Sequence, residues 1–205
     1  RGSDMHEGAW NLSTHFPWIG MRTADPAGAH VEYMRGISNP IGLKVGPDIS
    51  PSDLVDLVRI LDPANTPGRL TLITRLGVDR IERLLPPLVD AVDAAGYRVL
   101  WSCDPMHGNT ETLDSGLKTR RFDRILGELE FAFDIHDASA SVLGGVHLEL
   151  TGENVTECTG GAGGLVEDDL ARAYRTQVDP RLNGEQALEM AFAIVRKRRS
   201  MRGRS

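Results

Sequence analysis

The fold is decided by residues 41–74, which read IGLKVGPDISPSDLVDLVRILDPANTPGRLTLIT. Two short apolar runs, Ile41–Val45 and Leu70–Thr74, flank a segment whose apolar residues recur at helical spacing. Ser50 followed by Pro51 is a typical helix start, because serine can cap the first turn and proline suits the first helical position. A strand, a helix and a second strand in this order predict two parallel strands joined by a right-handed crossover.

The same alternation extends in both directions along the chain. Buried strands are predicted at residues 16–19, 41–45, 70–74, 97–101 and 145–150, with a weaker sixth at 174–177. Pro17 places the first run at the start or edge of a strand. Besides the helix after Ser50, apolar spacing predicts one over 81–92 with a stop at Gly96, one over 122–133, and a last one defined by Leu188, Ala191, Phe192 and Val195. The chain is therefore an α/β protein with a parallel sheet.

Composition narrows the function classes. The 205 residues carry a formal net charge of -6, which argues against a general nucleic-acid or acidic-membrane binder. Two cysteines give no disulfide framework, and a reducing cytoplasm is the expected compartment. We find no signal peptide and no apolar run long enough to cross a bilayer. We expect a single domain over 1–205, with an irregular N-terminus at 1–10 that could be a cloning remnant.

A basic tail at residues 196–205 contains six cations. Cations suit the C-terminal end of a helix, and a disordered tail would follow. An anion-binding tail is the alternative.

Polar residues follow the predicted strands, where parallel α/β folds carry their functional groups. They are Lys44, Arg75, Asp104, His107, Glu149 and Asp179. Consecutive strand ends share one rim, so we expect these side chains to converge. One histidine and two carboxylates can bind a divalent cation such as manganese, iron, cobalt or zinc rather than calcium. Arg22, Lys44 and Arg75 can form an anion pocket, in which the arginines grip phosphate or carboxylate.

Plainer interpretations of the same residues remain open at this point. A single histidine after a strand can serve as a capping or hydrogen-bonding residue. Asp179 followed by Pro180 is also typical of a turn. Lys44 and Arg75 could simply pair with nearby carboxylates.

Longer motifs carry a resemblance to a known family. They are HFPWIG (15–20), NPIGLK (39–44), LLPP (84–87), WSCDPMHGNT (101–110), KTR (118–120), GGVHLELTGENVTEC (144–158) and DPRLN (179–183). From about residue 16 to residue 195 the chain resembles the C-terminal part of the type II 3-deoxy-D-arabino-heptulosonate 7-phosphate (DAHP) synthases. That family condenses phosphoenolpyruvate with erythrose 4-phosphate and releases phosphate, with a divalent metal that is commonly Mn²⁺ or Co²⁺.

The resemblance implies roles for single residues. His107, Glu149 and Asp179 match metal ligands. Arg22, Lys44 and Arg75 match residues that bind phosphoenolpyruvate, and Lys118 and Asp104 lie in motifs of the same rim. We therefore predict Lys44, Asp104 and His107 as catalytic, and Arg22, Lys44, Arg75 and Lys118 as substrate-binding.

The resemblance also implies a partial TIM-type (β/α) barrel with about six strands, over residues 12–195. Family members are roughly twice as long, and their N-terminal half supplies two strands, a cysteine metal ligand, a further arginine and a segment that contacts the aldehyde. Met21 and Val178 stand where the family has an acidic residue and a cysteine. We expect a truncated member whose barrel is completed or covered by a homodimer or a partner subunit.

Three functions fit this pattern. The first is a DAHP synthase-like enzyme of aldol-type carbon–carbon chemistry. The second is an altered aldol or retro-aldol lyase on a different substrate in secondary metabolism. The third is a non-catalytic paralogue that binds a full-length synthase.

Overall fold

A computed structural model of the chain describes residues 8–139 and 141–202. Its five-stranded parallel sheet has the order β1-β2-β3-β4-β7, and β5 and β6 form a separate antiparallel hairpin. The strands are β1 (Trp18–Ile19), β2 (Ile41–Val45), β3 (Leu70–Thr74), β4 (Leu100–Cys103), β5 (Thr110–Thr112), β6 (Lys118–Arg120) and β7 (Leu143–Val146). The α-helices are α1 (Ala29–Gly36), α2 (Pro51–Leu61), α3 (Ile81–Ala94), α4 (Phe122–Ala138) and α5 (Gly184–Arg202).

The two strands at the centre of the prediction form as expected. β2 and β3 have the predicted bounds, pair in parallel over their full length and are buried throughout. Ser50 caps α2, because its hydroxyl oxygen accepts a hydrogen bond from the Asp53 backbone N–H at 3.1 Å. β1 is an outer strand that begins directly after Pro17, as the proline predicted.

The sheet is strongly curved. β1 and β7 are its two outer strands, yet the ring of Trp18 in β1 lies 6.4 Å from the ring of His147, the residue after β7, measured between centroids. Four strand spacings in a flat sheet would separate these strands by about 19 Å, which is too far for the two rings to approach so closely. The sheet therefore curls around the side chains of one face, which is compatible with part of a β/α barrel.

Four of the predicted strands were wrong in their bounds or in their existence. The first begins at Trp18 rather than at residue 16. The fourth strand begins at Leu100 rather than at residue 97, because the Arg98 N–H is held by the Asn65 side chain in the connection before it. The fifth ends at Val146, so Glu149 lies beyond the strand rather than at its end. Residues 174–177 form no strand.

The segment after residues 174–177 contacts the sheet by another route. An isolated parallel bridge joins Leu150 to Leu182, with hydrogen bonds from Leu182 N–H to the Glu149 carbonyl and from Thr151 N–H to the Leu182 carbonyl, 3.0 and 2.9 Å long. This bridge brings Asp179 beside Glu149.

The last helix forms where predicted, but its predicted apolar positions are exposed. Leu188, Phe192 and Val195 are 59%, 57% and 44% accessible, whereas Met190 and Ala193 point into the core. The spacing of the exposed residues indicated a helix correctly and indicated nothing about which face would be covered.

The chain ends lie partly outside the described residues. The predicted irregular segment at 1–10 is described only from residue 8, and the predicted basic tail only to residue 202. As far as residue 202 that tail continues α5, as expected for the end of a helix. Within the described ranges, no helix combines the length and apolar character that a membrane crossing requires.

Candidate metal and anion site

A cavity of about 820 Å³ opens at the C-terminal ends of the strands. Every predicted site residue except Asp104 lines it, namely Arg22, Lys44, Arg75, His107, Lys118, Glu149 and Asp179. These residues span more than 150 positions of the chain. They converge because parallel strands present their C-terminal ends at one edge of the sheet.

Three of these side chains form a group that suits a divalent metal. His107 Nε2 lies 3.2 Å from Glu149 Oε1 and 3.9 Å from Asp179 Oδ2. One donor atom from each residue falls within 4.8 Å of the others, and all three side chains are partly accessible from the cavity. An imidazole nitrogen with two carboxylate oxygens is a donor set typical of manganese, iron, cobalt and zinc. The residues present therefore fit such an ion.

Neither cysteine adds a fourth donor to this group. Cys103 and Cys158 are both free and fully buried, and burial raises the pKa of each thiol, that of Cys158 to about 12. Neither lines the cavity. A buried thiol with a raised pKa stays protonated and is a poor metal ligand.

Asp104 lies behind the cavity wall and contacts both the side that carries Lys44, here called the anion side, and the side that carries the three candidate ligands, here called the metal side. Its fully buried carboxylate forms an ion pair with Lys44 and hydrogen bonds at 2.8 and 3.0 Å with His107 Nδ1. The backbone N–H groups of Met106 and His107 also donate to it. Burial alone would raise the pKa of Asp104, but the His107 hydrogen bond and the Lys44 charge outweigh it and keep that pKa below its usual range.

The same contacts set the electrostatics of Lys44 and His107. Burial lowers the pKa of Lys44, and the Asp104 charge opposes that shift only in part. The hydrogen bonds from His107 to Asp104 and Glu149 raise the pKa of its imidazole to about 9. Because Asp104 binds Nδ1, it leaves Nε2 directed at Glu149 and Asp179, which is the orientation that a metal-binding histidine requires.

The other predicted cations also line the cavity: Arg22 and Arg75 lie with Lys44 on the anion side, and Lys118 lies on the metal side. Arg75 donates through Nη2 to the His107 carbonyl at 2.9 Å, while its buried Nε has no partner in the described part of the chain. Arg22 is exposed at the rim, in a short 3-10 helix (Met21–Thr23) after β1. Lys118 is half-exposed and pairs with Asp179 Oδ1 at 3.1 Å. The Lys44 ammonium also lies 5.4 Å above the centroid of the Trp18 ring.

Arg120 is a site residue that the sequence reasoning missed. It is fully buried and binds the Glu149 carboxylate, the Pro180 carbonyl and, at 2.8 Å, the Thr110 hydroxyl. Although burial would raise the pKa of Glu149, the hydrogen bonds from His107 and Arg120 lower it to about 2. Asp114, Ser115 and Gly116, which has a positive φ, are turn-forming residues between β5 and β6, so a sequence signal for the hairpin that carries Arg120 was present.

Comparisons with known proteins agree with the motifs. The sequence profile of the Class-II DAHP synthetase family matches residues 1–195. The chain is 50% identical over 186 residues to phospho-2-dehydro-3-deoxyheptonate aldolase AroG of Mycolicibacterium smegmatis, covering 91% of the chain and 40% of the relative. It is 52% identical over 188 residues to the phospho-2-dehydro-3-deoxyheptonate aldolase of Neurospora crassa, covering 91% of the chain and 39% of the relative.

A solved structure is also similar. Phospho-2-dehydro-3-deoxyheptonate aldolase of Francisella tularensis matches with a TM-score of 0.57 at 17% identity, over 89% of this chain and 55% of the other, so this likeness concerns the fold alone. The chain spans about 40% of the length of the curated relatives that it matches. The profile match over nearly all of the sequence decides the family, and the chain belongs to the Class-II DAHP synthetases.

Proposed function

We propose that this chain provides the metal-binding and phosphoenolpyruvate-binding part of a DAHP synthase-like active site. The activity would be an aldol-type condensation of phosphoenolpyruvate with erythrose 4-phosphate that releases inorganic phosphate. One observation carries the proposal: a histidine and two carboxylates converge within 4.8 Å in a cavity whose other wall carries several cations. Membership of the family supports the choice of substrates.

The cations that line the cavity would bind the anionic substrate. Lys44 and Arg75 are held by buried contacts, and both line the cavity, where the Arg75 guanidinium would donate to a phosphate or carboxylate oxygen. Arg22 stands at the open rim, where a second phosphate could approach. Lys118 would assist from the opposite side, beside Asp179.

His107, Glu149 and Asp179 would hold the metal, with Mn²⁺ or Co²⁺ as the expected ion. A divalent cation bound there would polarise the carbonyl oxygen of the aldehyde. Lys44 and His107 face the reacting groups and are the proposed catalytic side chains. Asp104, also predicted as catalytic, would orient both of them from behind, because it is fully buried and does not line the cavity.

We further propose that the curved sheet is a segment of a (β/α) barrel. Five parallel strands cannot close a barrel that normally has eight. A second copy or a partner subunit would cover or complete the wall. Light scattering coupled to gel filtration tests this, and a well-behaved monomer would count against a second copy.

Calorimetric titration with Mn²⁺ and then phosphoenolpyruvate tests the function, together with phosphate release in the presence of erythrose 4-phosphate. We expect one Mn²⁺ per chain, phosphoenolpyruvate binding and metal-dependent phosphate release. His107→Ala should abolish metal binding. His30→Ala is the matched control, since His30 lines the same cavity but is not one of the three donors. Absence of both Mn²⁺ and phosphoenolpyruvate binding would refute the proposal, whereas binding without turnover would point to a different second substrate.

A further inference from the structure

One of the three candidate ligands lies in a segment without regular structure. Asp179 belongs to residues 174–181, which form neither helix nor strand. A side chain that shares a metal must be held to within about 0.5 Å, and an irregular segment has no backbone ladder to do this. Other contacts must therefore fix its position.

Those contacts converge on the carboxylate of Glu157. Its Oε1 accepts hydrogen bonds from the backbone N–H groups of Arg175 and Thr176 at 3.1 and 2.9 Å, and from Arg181 Nη2 at 2.8 Å. Its Oε2 accepts from the Arg181 backbone N–H at 2.8 Å and from Arg181 Nε at 3.0 Å. One carboxylate thus holds the segment on both sides of Asp179.

Glu157 is itself rigidly placed. Its side chain is fully buried, and its main-chain carbonyl accepts a hydrogen bond at 2.9 Å from the Thr119 hydroxyl in β6. Within the segment, the Thr176 hydroxyl donates to the Asp179 carbonyl at 2.9 Å. Hydrogen bonds to a buried charged acceptor are about twice as strong as neutral ones, so the five donors form a firm attachment.

We propose that Glu157 is a positioning residue of the metal site, which holds residues 174–181 so that the Asp179 carboxylate reaches His107. The inference rests on the proposed metal-binding function and deepens it. Glu157 lies outside the cavity and touches no substrate, so it acts only through Asp179. Partners that orient metal ligands typically change metal affinity by about 10-fold to 100-fold when they are removed.

Glu157→Gln tests the proposal, because glutamine has the same shape but presents an amide N–H₂ to groups that are all donors. We expect Mn²⁺ affinity by calorimetry to fall about 10-fold or more, while affinity for inorganic phosphate on the Lys44 and Arg75 side changes less than about twofold. Glu153→Gln is the matched control. Glu153 binds the side chain of Arg175 at 2.9 Å, but it is exposed and its loss should leave both affinities unchanged.

Two results of this titration would overturn the proposal. One is an unchanged Mn²⁺ affinity in Glu157→Gln. The other is an equal loss of Mn²⁺ and phosphate affinity, which would indicate general loosening. If Glu157→Gln does not fold, Arg181→Lys keeps the charge and the backbone donor but loses the paired guanidinium contacts. It should weaken Mn²⁺ binding by a smaller factor and leave phosphate binding unchanged, and an unweakened Mn²⁺ affinity would contradict the proposal.

Amide hydrogen exchange on the metal-free protein separates this inference from the proposed function. The N–H groups of Arg175, Thr176 and Arg181 should exchange at least 10-fold faster in Glu157→Gln than in the unmodified chain, and no faster in Glu153→Gln. Unchanged exchange refutes the attachment whatever the metal result. If the unmodified chain binds no Mn²⁺ but exchange accelerates as expected, the proposed function fails and the attachment of the segment by Glu157 stands.

Discussion

The anion side and the metal side of the cavity are built in different ways. Lys44 lies within β2 and Arg75 directly follows β3, where the Arg75 N–H continues the ladder by donating to the Val45 carbonyl at 2.9 Å. Glu149 and Asp179 lie beyond the last strand of the sheet. They are held by one isolated bridge and by the side chains of Arg120 and Glu157.

This difference indicates which substitutions should weaken each side. Backbone ladders position Lys44 and Arg75 without help from particular neighbours. Beyond the ladder, Lys44 forms one ion pair, with Asp104, and Arg75 forms one hydrogen bond, to the His107 carbonyl. Polar side chains that hold a loop are individually necessary, because each supplies a large share of the attachment. The metal side should therefore lose ligand affinity on substitution of Arg120 or Glu157, which bind no ligand, and the anion side should change much less with these substitutions.

The largest effect is expected on the anion side, at its buried ion pair. Lys44→Met removes one of the two cations that contact the fully buried Asp104 carboxylate, the other being His107, and should lower the free energy of unfolding by about 3 kcal/mol. Urea unfolding measures it. Lys44→Met combined with Asp104→Asn is the control and should recover more than half of the loss, because no buried charge remains. A loss of unfolding free energy below about 1 kcal/mol would contradict this prediction, because the ion pair would then contribute little to the stability of the anion side.

A smaller effect is expected far from the cavity, at His136. This residue is 1% accessible and packs against Trp101 with the two rings tilted by 51°, and its Nδ1 lies 3.1 Å from the Ser141 hydroxyl. Burial lowers its pKa to about 4 from 6.5, so the folded state resists protonation and stability is lost as pH falls through 6.5 towards 4. The loss at pH 5 should be about 2 kcal/mol.

His136→Phe should remove most of that acid loss, as measured by urea unfolding at pH 7 and pH 5. The substitution sharpens the comparison between the metal side and the anion side, because ligand binding on both sides could then be measured at low pH without unfolding of the protein. An equal acid loss in the variant and the unmodified chain would show that other groups are responsible.

The smallest effect is expected on the metal side, at Arg120. Arg120→Lys keeps the charge but cannot reach Glu149, Pro180 and Thr110 together. We expect Mn²⁺ affinity to fall about 10-fold, or about 1.4 kcal/mol, with little change in phosphate affinity. Calorimetry of both ligands is the measurement, and a larger loss for phosphate than for Mn²⁺ would reverse the comparison. Arg121→Lys, an exposed neighbour on the outer side of the hairpin, is the control.

The sequence predicted the regular elements of the anion side better than the irregular segments of the metal side. β2, β3 and the start of α2 were predicted to the residue, because their apolar patterns are bounded by strong turn and capping signals. The strand predicted at 174–177 was wrong, because the backbone N–H groups of Arg175 and Thr176 donate to the Glu157 carboxylate and not to a neighbouring strand. The sequence also could not predict that the apolar stripe of α5 is exposed, because periodicity identifies an apolar face and not whether another part of the molecule covers it.

By itself, the sequence determined the family, the parallel α/β class and seven of the polar side chains that line the cavity, but it also placed Asp104, which lies behind the cavity, among them. Residue types at strand ends survive as readable motifs, and parallel topology brings strand ends together whatever the details of packing. Only the tertiary structure decided how those residues are held: Asp104 behind Lys44 and His107, Arg120 on Glu149, and Glu157 around the segment of Asp179. These contacts join positions distant in sequence, and their geometry depends on sheet curvature and loop paths, which local patterns do not encode.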